Sequence, residues 1–188
     1  QTRYAERLRQ RIDAIPVDFR IGSVHCVFAR MVRAAIVDRG FPLMAVYREY
    51  FAEIRALIRT GLPSVLGHLD YVGKTCFDLI GDNQPADYLT QMTEICRLLV
   101  RHDVGLEVNS RYMDRGQPVV PPVAVLEIYR RLGGRIVTLG SDAHTSGAVG
   151  AGLDVGCRML RQAGFTEYCS FDKLTPSFHP LPDAGAMV

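Results

Sequence analysis

The chain has 188 residues, of which 48% are hydrophobic, so it is long and apolar enough to bury one sizeable core and is not a disordered protein overall. Its formal net charge is +2, from 22 basic and 20 acidic residues, which gives no support to a nucleic-acid or membrane-surface partner. No apolar stretch approaches the roughly 20 residues that span a bilayer. Five scattered cysteines without CxxC spacing favour a reducing, cytoplasmic location.

The first half of the chain alternates helix-period segments with short β-rich runs. The predicted elements are, in order, a helix over residues 4 to 15, a strand over 18 to 28, a helix over 42 to 60 and a strand over 64 to 70. Residues 74 to 85 then carry Gly81, Asp82 and Asn83, which indicates a loop.

The second half continues the same alternation. The predicted elements are a helix over residues 86 to 102, a strand over 104 to 110, a helix over 123 to 132, a strand over 135 to 142, a helix over 149 to 162 and a strand over 167 to 172. Residues 1 to 175 are predicted to form a single α/β domain, and residues 176 to 188 an irregular tail.

Helices between successive strands require crossover connections, which predicts a parallel sheet in a barrel or a doubly wound fold. Only about five strands are predicted, whereas a closed (β/α) barrel needs about eight. The chain also opens on Gln1, within a helical pattern. We therefore expect that sequence preceding Gln1, with the first strands of a barrel, is missing.

Candidate functional residues lie at the ends of four of the predicted strands. In chain order they are His25, then His68 and Asp70, then Asn109 and Arg111, and finally Asp142 and His144. Because the carboxyl ends of parallel strands meet at one edge of a sheet, we expect these side chains to lie near each other. Imidazole and carboxylate groups are the ligands of zinc, manganese and iron sites that activate water.

Each of these residues also has an ordinary structural interpretation. A lone histidine at a strand end is more often hydrogen-bonded than metal-bound, and Asp142 could cap the turn that follows it. Asn109 could satisfy backbone groups, while Lys74 and Arg111 could be solvated surface cations. Recurrence at successive strand ends is what favours a functional role.

Four sequence motifs resemble the PHP (polymerase and histidinol phosphatase) family, histidinol-phosphatase type, in order and spacing. They are GSVH at 22 to 25, GHLDYVGK at 67 to 74, LEVNSR at 106 to 111 and GGRIVTLGSDAH at 133 to 144. The resemblance continues through 149 to 165 and covers most of the chain from about residue 18 to 171. It implies a distorted (β/α) barrel whose rim binds two or three divalent ions (Zn, Mn or Fe).

Carried over by motif, His25, His68, Asp142 and His144 are the implied metal ligands. The resemblance places Lys74, Asn109 and Arg111 near the phosphate of a small phosphorylated substrate. Asp70 would orient His68 or assist proton transfer to the leaving group. The implied reaction is hydrolysis of a phosphomonoester, with L-histidinol phosphate in histidine biosynthesis as the expected substrate.

The family pattern also includes an HxH strand, a further His or Asp and a Glu ligand ahead of the segment that matches Gln1 onward. The loop after GSVH differs as well, because residues 28 to 43 replace an acidic and aromatic segment. Two alternatives stay open for these reasons. The protein could be another PHP phosphoesterase, or the chain by itself could be catalytically silent and bind at most one ion weakly.

Overall fold

The computed structural model describes residues 5–37, 40–80, 85–111 and 120–182. The helices are α1 (Ala5–Ile12), α2 (Val32–Val37), α3 (Leu43–Arg59), α4 (Tyr71–Ile80), α5 (Tyr88–Arg101), α6 (Val123–Arg131) and α7 (Leu153–Gln162), with a short 3₁₀ turn at Ser146–Ala148. The strands are β1 (Ile21–Gly22), β2 (Cys26–Val27), β3 (Arg30–Met31), β4 (Val65–Leu66), β5 (Gly105–Asn109), β6 (Val137–Gly140), β7 (Glu167–Asp172) and β8 (Thr175–Pro180).

The central sheet is parallel, as the sequence predicts. Its order is β1-β4-β5-β6, and each neighbouring pair runs in the same direction. The pairing places Leu66 beside Gly22 and Leu106, and Asn109 beside Gly140. All four strands therefore end at the same edge of the sheet, which we call the carboxyl edge.

The helices cover this sheet with apolar side chains spaced three and four residues apart. On α3 the fully buried residues are Val46, Tyr47, Tyr50, Phe51, Ile54 and Ile58. These pack into one core with the buried residues of α5, α6 and the strands. This core holds the sheet in place and fixes the position of the loops at the carboxyl edge.

No closed barrel is formed by the part of the chain that the structure describes. The predicted last parallel strand, β7, instead pairs antiparallel with β8 in a separate two-stranded sheet. Its hairpin turn reaches back to the segment before β1, where the Asp18 carboxylate accepts the Lys173 N–H at 3.0 Å and Phe19 packs against Phe171. The tail predicted as irregular therefore includes a strand, which tolerates Pro176 and Pro180 because it lies at a sheet edge.

Three other features differ from the sequence prediction. Lys74 lies on α4 and not in a loop, because Val72 and Cys76 are buried one helical turn apart; Gly81, Asp82 and Asn83 lie outside the described residues. The segment after His25 forms the short β2–β3 hairpin followed by α2. The strands at the carboxyl edge are also shorter than predicted, since β1 and β4 have two residues each.

None of the helices in residues 5–37, 40–80, 85–111 and 120–182 is both long and apolar enough to cross a membrane.

Candidate metal centre

Two histidines from neighbouring strands meet at the carboxyl edge. His25 follows β1 and His68 follows β4, and these strands are paired in the sheet. Their Nε2 atoms are 3.0 Å apart, and the ring planes are nearly perpendicular with centroids 4.7 Å apart. Two residues that are 43 positions apart in the sequence thus present ring nitrogens to the same point. We refer to them below as the histidine pair.

The surroundings of the histidine pair favour neutral imidazoles. Partial burial lowers the pKa of His25, and the neighbouring His68 lowers it further. Burial is also the main cause that lowers the pKa of His68. A neutral imidazole has a free lone pair on one nitrogen, which is the form that binds a metal ion.

The Nδ1 atom of His68 is buried and has no hydrogen-bond partner among the described residues. It lies across the imidazole ring from Nε2, so it would not bind the same ion as the Nε2 atom of His25. The fit of the histidine pair to one divalent ion therefore rests on its two Nε2 atoms.

Asp142 and His144, which we call the DxH segment, follow β6 at the same edge. The carboxylate of Asp142 forms an ion pair with Arg111 at 3.2 Å. The Nδ1 of His144 lies 2.9 Å from the backbone oxygen of Asp142, and 60% of the His144 side chain is exposed. Asp142 and His144 thus already have local partners, and the side chain of His144 is exposed to solvent.

The sequence predicts that all four residues converge in one pocket. Asp142 is close enough for its negative charge to raise the pKa of both His25 and His68, against the larger effect of burial. Yet within the described ranges no three His, Cys, Asp or Glu side chains are placed to hold one ion. The structure brings the histidine pair together and leaves a four-residue metal site as a prediction.

Backbone conformation singles out one residue in each group. His68 has a φ of 28° and Asp142 a φ of 46°, both in the left-handed region. Residues other than glycine adopt this region at a cost of about 1–3 kcal/mol, and they do so most often at functional sites. In each case the unusual φ turns the chain sharply just after a strand, so that the side chain stays at the carboxyl edge.

Lys74 and Arg111 supply positive charge to the same region. Lys74 lies on α4 with its amino group 3.6 Å from Asp78, and burial lowers the pKa of this amine. The charges of Arg111 and Asp142 also affect the pKa of this amine, to a smaller extent. The two cations that the sequence assigns to phosphate binding follow the neighbouring strands β4 and β5 on their carboxyl side.

Asp70 lies behind the site rather than at its surface. It is 4% exposed, and its carboxylate accepts a hydrogen bond of 2.6 Å from the Tyr88 hydroxyl on α5. Burial raises the pKa of Asp70 to about 7, against the opposing effect of Tyr88. Burial disfavours proton transfer from Asp70 to a leaving group, but Asp70 Oδ1 and His68 Nδ1 have no hydrogen-bond partner among the described residues, so the role of orienting His68 stays a prediction.

Asn109 is buried and connects two neighbours. Its side-chain oxygen accepts the Arg111 backbone N–H at 3.1 Å, and its side-chain nitrogen donates to Glu107 at 3.1 Å. Glu107 also accepts the backbone N–H of His68 at 2.8 Å. Burial raises the pKa of Glu107, and these two hydrogen bonds oppose the increase.

Sequence reasoning missed Glu107 and Tyr71. A charged residue inside the apolar run LEVN of a buried strand is unusual, and that signal could have identified Glu107. Tyr71 begins α4, and its ring centroid lies 5.4 Å from that of His25 and 5.1 Å from that of His68. The only signal for this tyrosine in the local sequence is its place within the GHLDYVGK motif.

No family model matches the chain. It is 27% identical over 175 residues to the histidinol-phosphatase of Lactococcus lactis, covering 90% of this chain and 64% of that protein. Two proteins named "Probable histidinol-phosphatase" also match. The one from Clostridium acetobutylicum is 24% identical over 78% of this chain and 58% of its own length. The one from Thermotoga maritima is 29% identical over 72% of this chain and 55% of its own length.

The fold is shared with a solved histidinol phosphate phosphatase from Lactococcus lactis. The TM-score is 0.73 at 22% sequence identity, over 94% of this chain and 68% of that one. The chain is thus similar in sequence and in fold to histidinol phosphatases. The resemblance of its motifs to the histidinol-phosphatase type of the PHP family is thereby confirmed. The chain spans between 55% and 64% of the length of the three curated histidinol-phosphatase relatives.

Proposed function

We propose that these residues form part of a metal-dependent phosphomonoester hydrolase of the histidinol-phosphatase type, acting on L-histidinol phosphate. The observation that carries the proposal is the histidine pair, whose Nε2 atoms meet 3.0 Å apart at the carboxyl edge of a parallel sheet. Relatives named histidinol-phosphatase support the substrate. The solved Lactococcus lactis relative is described as a complex with zinc, L-histidinol and phosphate.

His25 and His68 would hold a divalent ion, with Asp142 and His144 as further ligands. When bound, such an ion stabilises charge on phosphoryl oxygens and lowers the pKa of a water molecule. Asp142 would exchange its contact with Arg111 for this role, and His144 would turn away from the Asp142 backbone. Zinc, manganese and iron are all compatible with imidazole and carboxylate ligands.

Arg111 and Lys74 would bind the substrate phosphate. A guanidinium group can offer two parallel N–H donors to phosphate oxygens, whereas the Lys74 ammonium acts as a point charge. Asn109 would hold the backbone of Arg111 in place through the 3.1 Å contact to its N–H. The buried Asp70 would fix the turn that carries His68, and Tyr88 would hold Asp70.

The silent-chain alternative is supported by a specific observation. Among the residues described here, no group of three potential ligands is placed to hold a metal ion. Two imidazoles alone bind one ion weakly, and hydrolysis through paired ions needs additional ligands. We therefore expect the 188-residue chain to bind zinc but to turn over substrate far more slowly than a full-length relative.

The proposal also includes expectations about the complete fold and about where the reaction takes place. The parallel sheet would be part of a distorted (β/α) barrel, as the resemblance of the motifs to the PHP family implies. The reaction would take place in the cytoplasm and would need neither nucleic acid nor a membrane.

Calorimetric titration of the 188-residue chain tests the proposal. We expect zinc to bind first, and L-histidinol phosphate and inorganic phosphate to bind only to the zinc-loaded protein. L-Histidinol should bind more weakly than its phosphate ester. Phosphate release, measured beside the Lactococcus lactis enzyme, then tests the silent-chain alternative. Absence of zinc binding would contradict the proposed function, and equal binding of unrelated phosphomonoesters would favour another PHP phosphoesterase.

A further inference from the structure

Glu107 is a buried carboxylate in the middle of the sheet, next to the carboxyl edge. It lies on β5, between β4 and β6, and only 5% of it is exposed. Acidic residues are rarely buried this completely unless they have specific hydrogen-bond partners. The contacts of Glu107 should therefore indicate what it does.

One oxygen of Glu107 binds two groups of the candidate metal centre. Oε2 accepts the backbone N–H of His68 at 2.8 Å and the side-chain N–H of Asn109 at 3.1 Å. The first contact links β5 to the residue just after β4, which has the unusual φ of 28°. Hydrogen bonds to an ionised carboxylate are stronger than those between neutral groups.

The neighbouring strands leave space for this carboxylate. A Cβ atom at Gly140, on β6, would overlap Oε1 of Glu107. A Cβ atom at Gly67, after β4, would lie 3.3 Å from Oε2 and 2.5 Å from the Ser23 hydroxyl. A glycine on each side thus allows Glu107 to sit between the ends of two strands.

The contacts continue from Glu107 to the DxH segment. Asn109 accepts the Arg111 N–H at 3.1 Å, and the Arg111 guanidinium pairs with Asp142 at 3.2 Å. A connected series of hydrogen bonds thus runs from the His68 backbone through Glu107 and Asn109 to Arg111. It joins a candidate metal ligand to a candidate phosphate-binding residue.

We propose that Glu107 is a positioning residue for divalent-ion binding, which holds His68 against His25 through the His68 backbone N–H and sets Arg111 through Asn109. This inference rests on the proposed metal-dependent function. Glu107 itself does not need to contact the ion or the substrate. Groups that orient metal ligands in this way typically change metal affinity by roughly 10- to 100-fold when they are altered.

Three variants test the proposal by zinc affinity, measured by competition with a chromophoric chelator. Glu107→Asp withdraws the carboxylate by one methylene from His68 and should weaken zinc binding roughly 10- to 100-fold. Glu107→Gln keeps an oxygen acceptor in place and should lose clearly less. The matched control is Tyr129→Phe, which removes a hydroxyl that contacts the Val104 and Ile136 backbone oxygens at the opposite ends of β5 and β6.

The control separates positioning from simple loss of stability. Urea unfolding should show that Glu107→Asp and Tyr129→Phe are both less stable than the parent chain. Only the Glu107 variant should lose zinc affinity while it is still folded. Wild-type zinc affinity in Glu107→Asp, or an equal loss in Tyr129→Phe, would overturn the proposal.

A second measurement decides the case in which the parent chain binds no zinc. That result would contradict the proposed function, but nitrogen NMR signals of the zinc-free protein would still report on the histidine pair. The imidazole signals of His25 and His68 should shift in Glu107→Asp and stay in place in Tyr129→Phe. Unshifted signals in Glu107→Asp would overturn the positioning role independently of metal binding.

Discussion

The histidine pair and the DxH segment lie at the same edge of the sheet but differ in how they are held. The backbone N–H of His68 donates to the buried Glu107 carboxylate. In the turn after His68, the buried Asp70 carboxylate accepts a hydrogen bond from the Tyr88 hydroxyl. Asp142 instead contacts Arg111, and His144 contacts the Asp142 backbone. The difference indicates that buried groups preorganise the position of His68, while the DxH segment is held by local contacts near the surface. In both halves an ion would replace an existing contact, since the Nε2 atoms of the histidine pair lie within hydrogen-bond distance of each other.

The largest expected effect is on zinc affinity when a member of the histidine pair is removed. His68→Ala should weaken zinc binding by at least about 100-fold, because it removes a preorganised ligand and not merely a group that orients one. His144→Ala should weaken it by less than about 10-fold, since this exposed side chain must first leave its own backbone contact. Chelator competition on both variants measures the contrast.

A control at an unrelated histidine completes that comparison. His179 contacts Ser170 on the β7–β8 hairpin, so His179→Ala should leave zinc affinity unchanged. Equal losses in His68→Ala and His144→Ala would show that the two halves contribute alike and that the contrast in their surroundings has no energetic meaning.

The next largest effect is expected for Arg111→Ala, which should change the affinities for phosphate and for zinc in opposite directions. Arg111→Ala should weaken binding of phosphate to the zinc-loaded chain by roughly 10- to 100-fold, because a charge-assisted hydrogen bond is worth about 1.5–3 kcal/mol. In a complete enzyme the same change should raise KM and lower kcat/KM. It should also strengthen zinc binding by up to about fivefold, since it frees Asp142 from a partly exposed ion pair.

Arg158→Ala is the matched control for that experiment. Its guanidinium pairs with Asp154 on α7, and more than half of the side chain is exposed. Neither phosphate nor zinc affinity should change. If Arg111→Ala changes neither affinity, Arg111 belongs to the solvated surface and the DxH segment is not held back by its ion pair.

A smaller effect concerns the support behind His68. Tyr88→Phe should lower the free energy of unfolding by about 1–3 kcal/mol, because the buried Asp70 carboxylate loses a hydrogen-bond donor. Tyr50→Phe removes a hydroxyl that donates to the neutral Leu69 carbonyl at 3.1 Å, and should cost only about 0.5–1.5 kcal/mol. Urea unfolding of both variants gives the comparison. A Tyr88→Phe variant no less stable than Tyr50→Phe would mean that Tyr88 does not support Asp70.

The sequence was sufficient to predict the parallel sheet and to place candidate residues after its strands, while the roles of these residues stay predictions. Both follow from local rules, because the alternation of helices and strands requires crossovers, and parallel strands all end on one side. The helix α4 was missed because Gly81, Asp82 and Asn83 dominated the local pattern, whereas burial of Val72 and Cys76 depends on packing against α2.

Contacts between distant residues could not be predicted in this way. Glu107 binds a backbone N–H that is 39 positions away, and Tyr88 reaches Asp70 from another helix. Neither contact can be predicted from the local sequence, which shows only that Glu107 is a charged residue in an apolar strand. The antiparallel β7–β8 hairpin was missed for a related reason. Pro176 and Pro180 obscure the strand pattern of β8, which pairs with β7 alone among the described residues.

The smallest effect tests whether the backbone at Asp142 is strained. Asp142 has a φ of 46°, which costs an ordinary L-residue about 1–2 kcal/mol but costs glycine almost nothing. Asp142→Gly and Asp142→Ala both remove the carboxylate and its contact with Arg111, so their difference isolates the backbone. The glycine variant should be the more stable of the two by about 1 kcal/mol in urea unfolding.

At the neighbouring Ala143, whose φ is not positive, Ala143→Gly should instead be destabilising, because glycine has more freedom to lose on folding. An alanine at position 142 as stable as glycine would mean that the turn relaxes easily, and the DxH segment would then be adaptable rather than held in one conformation.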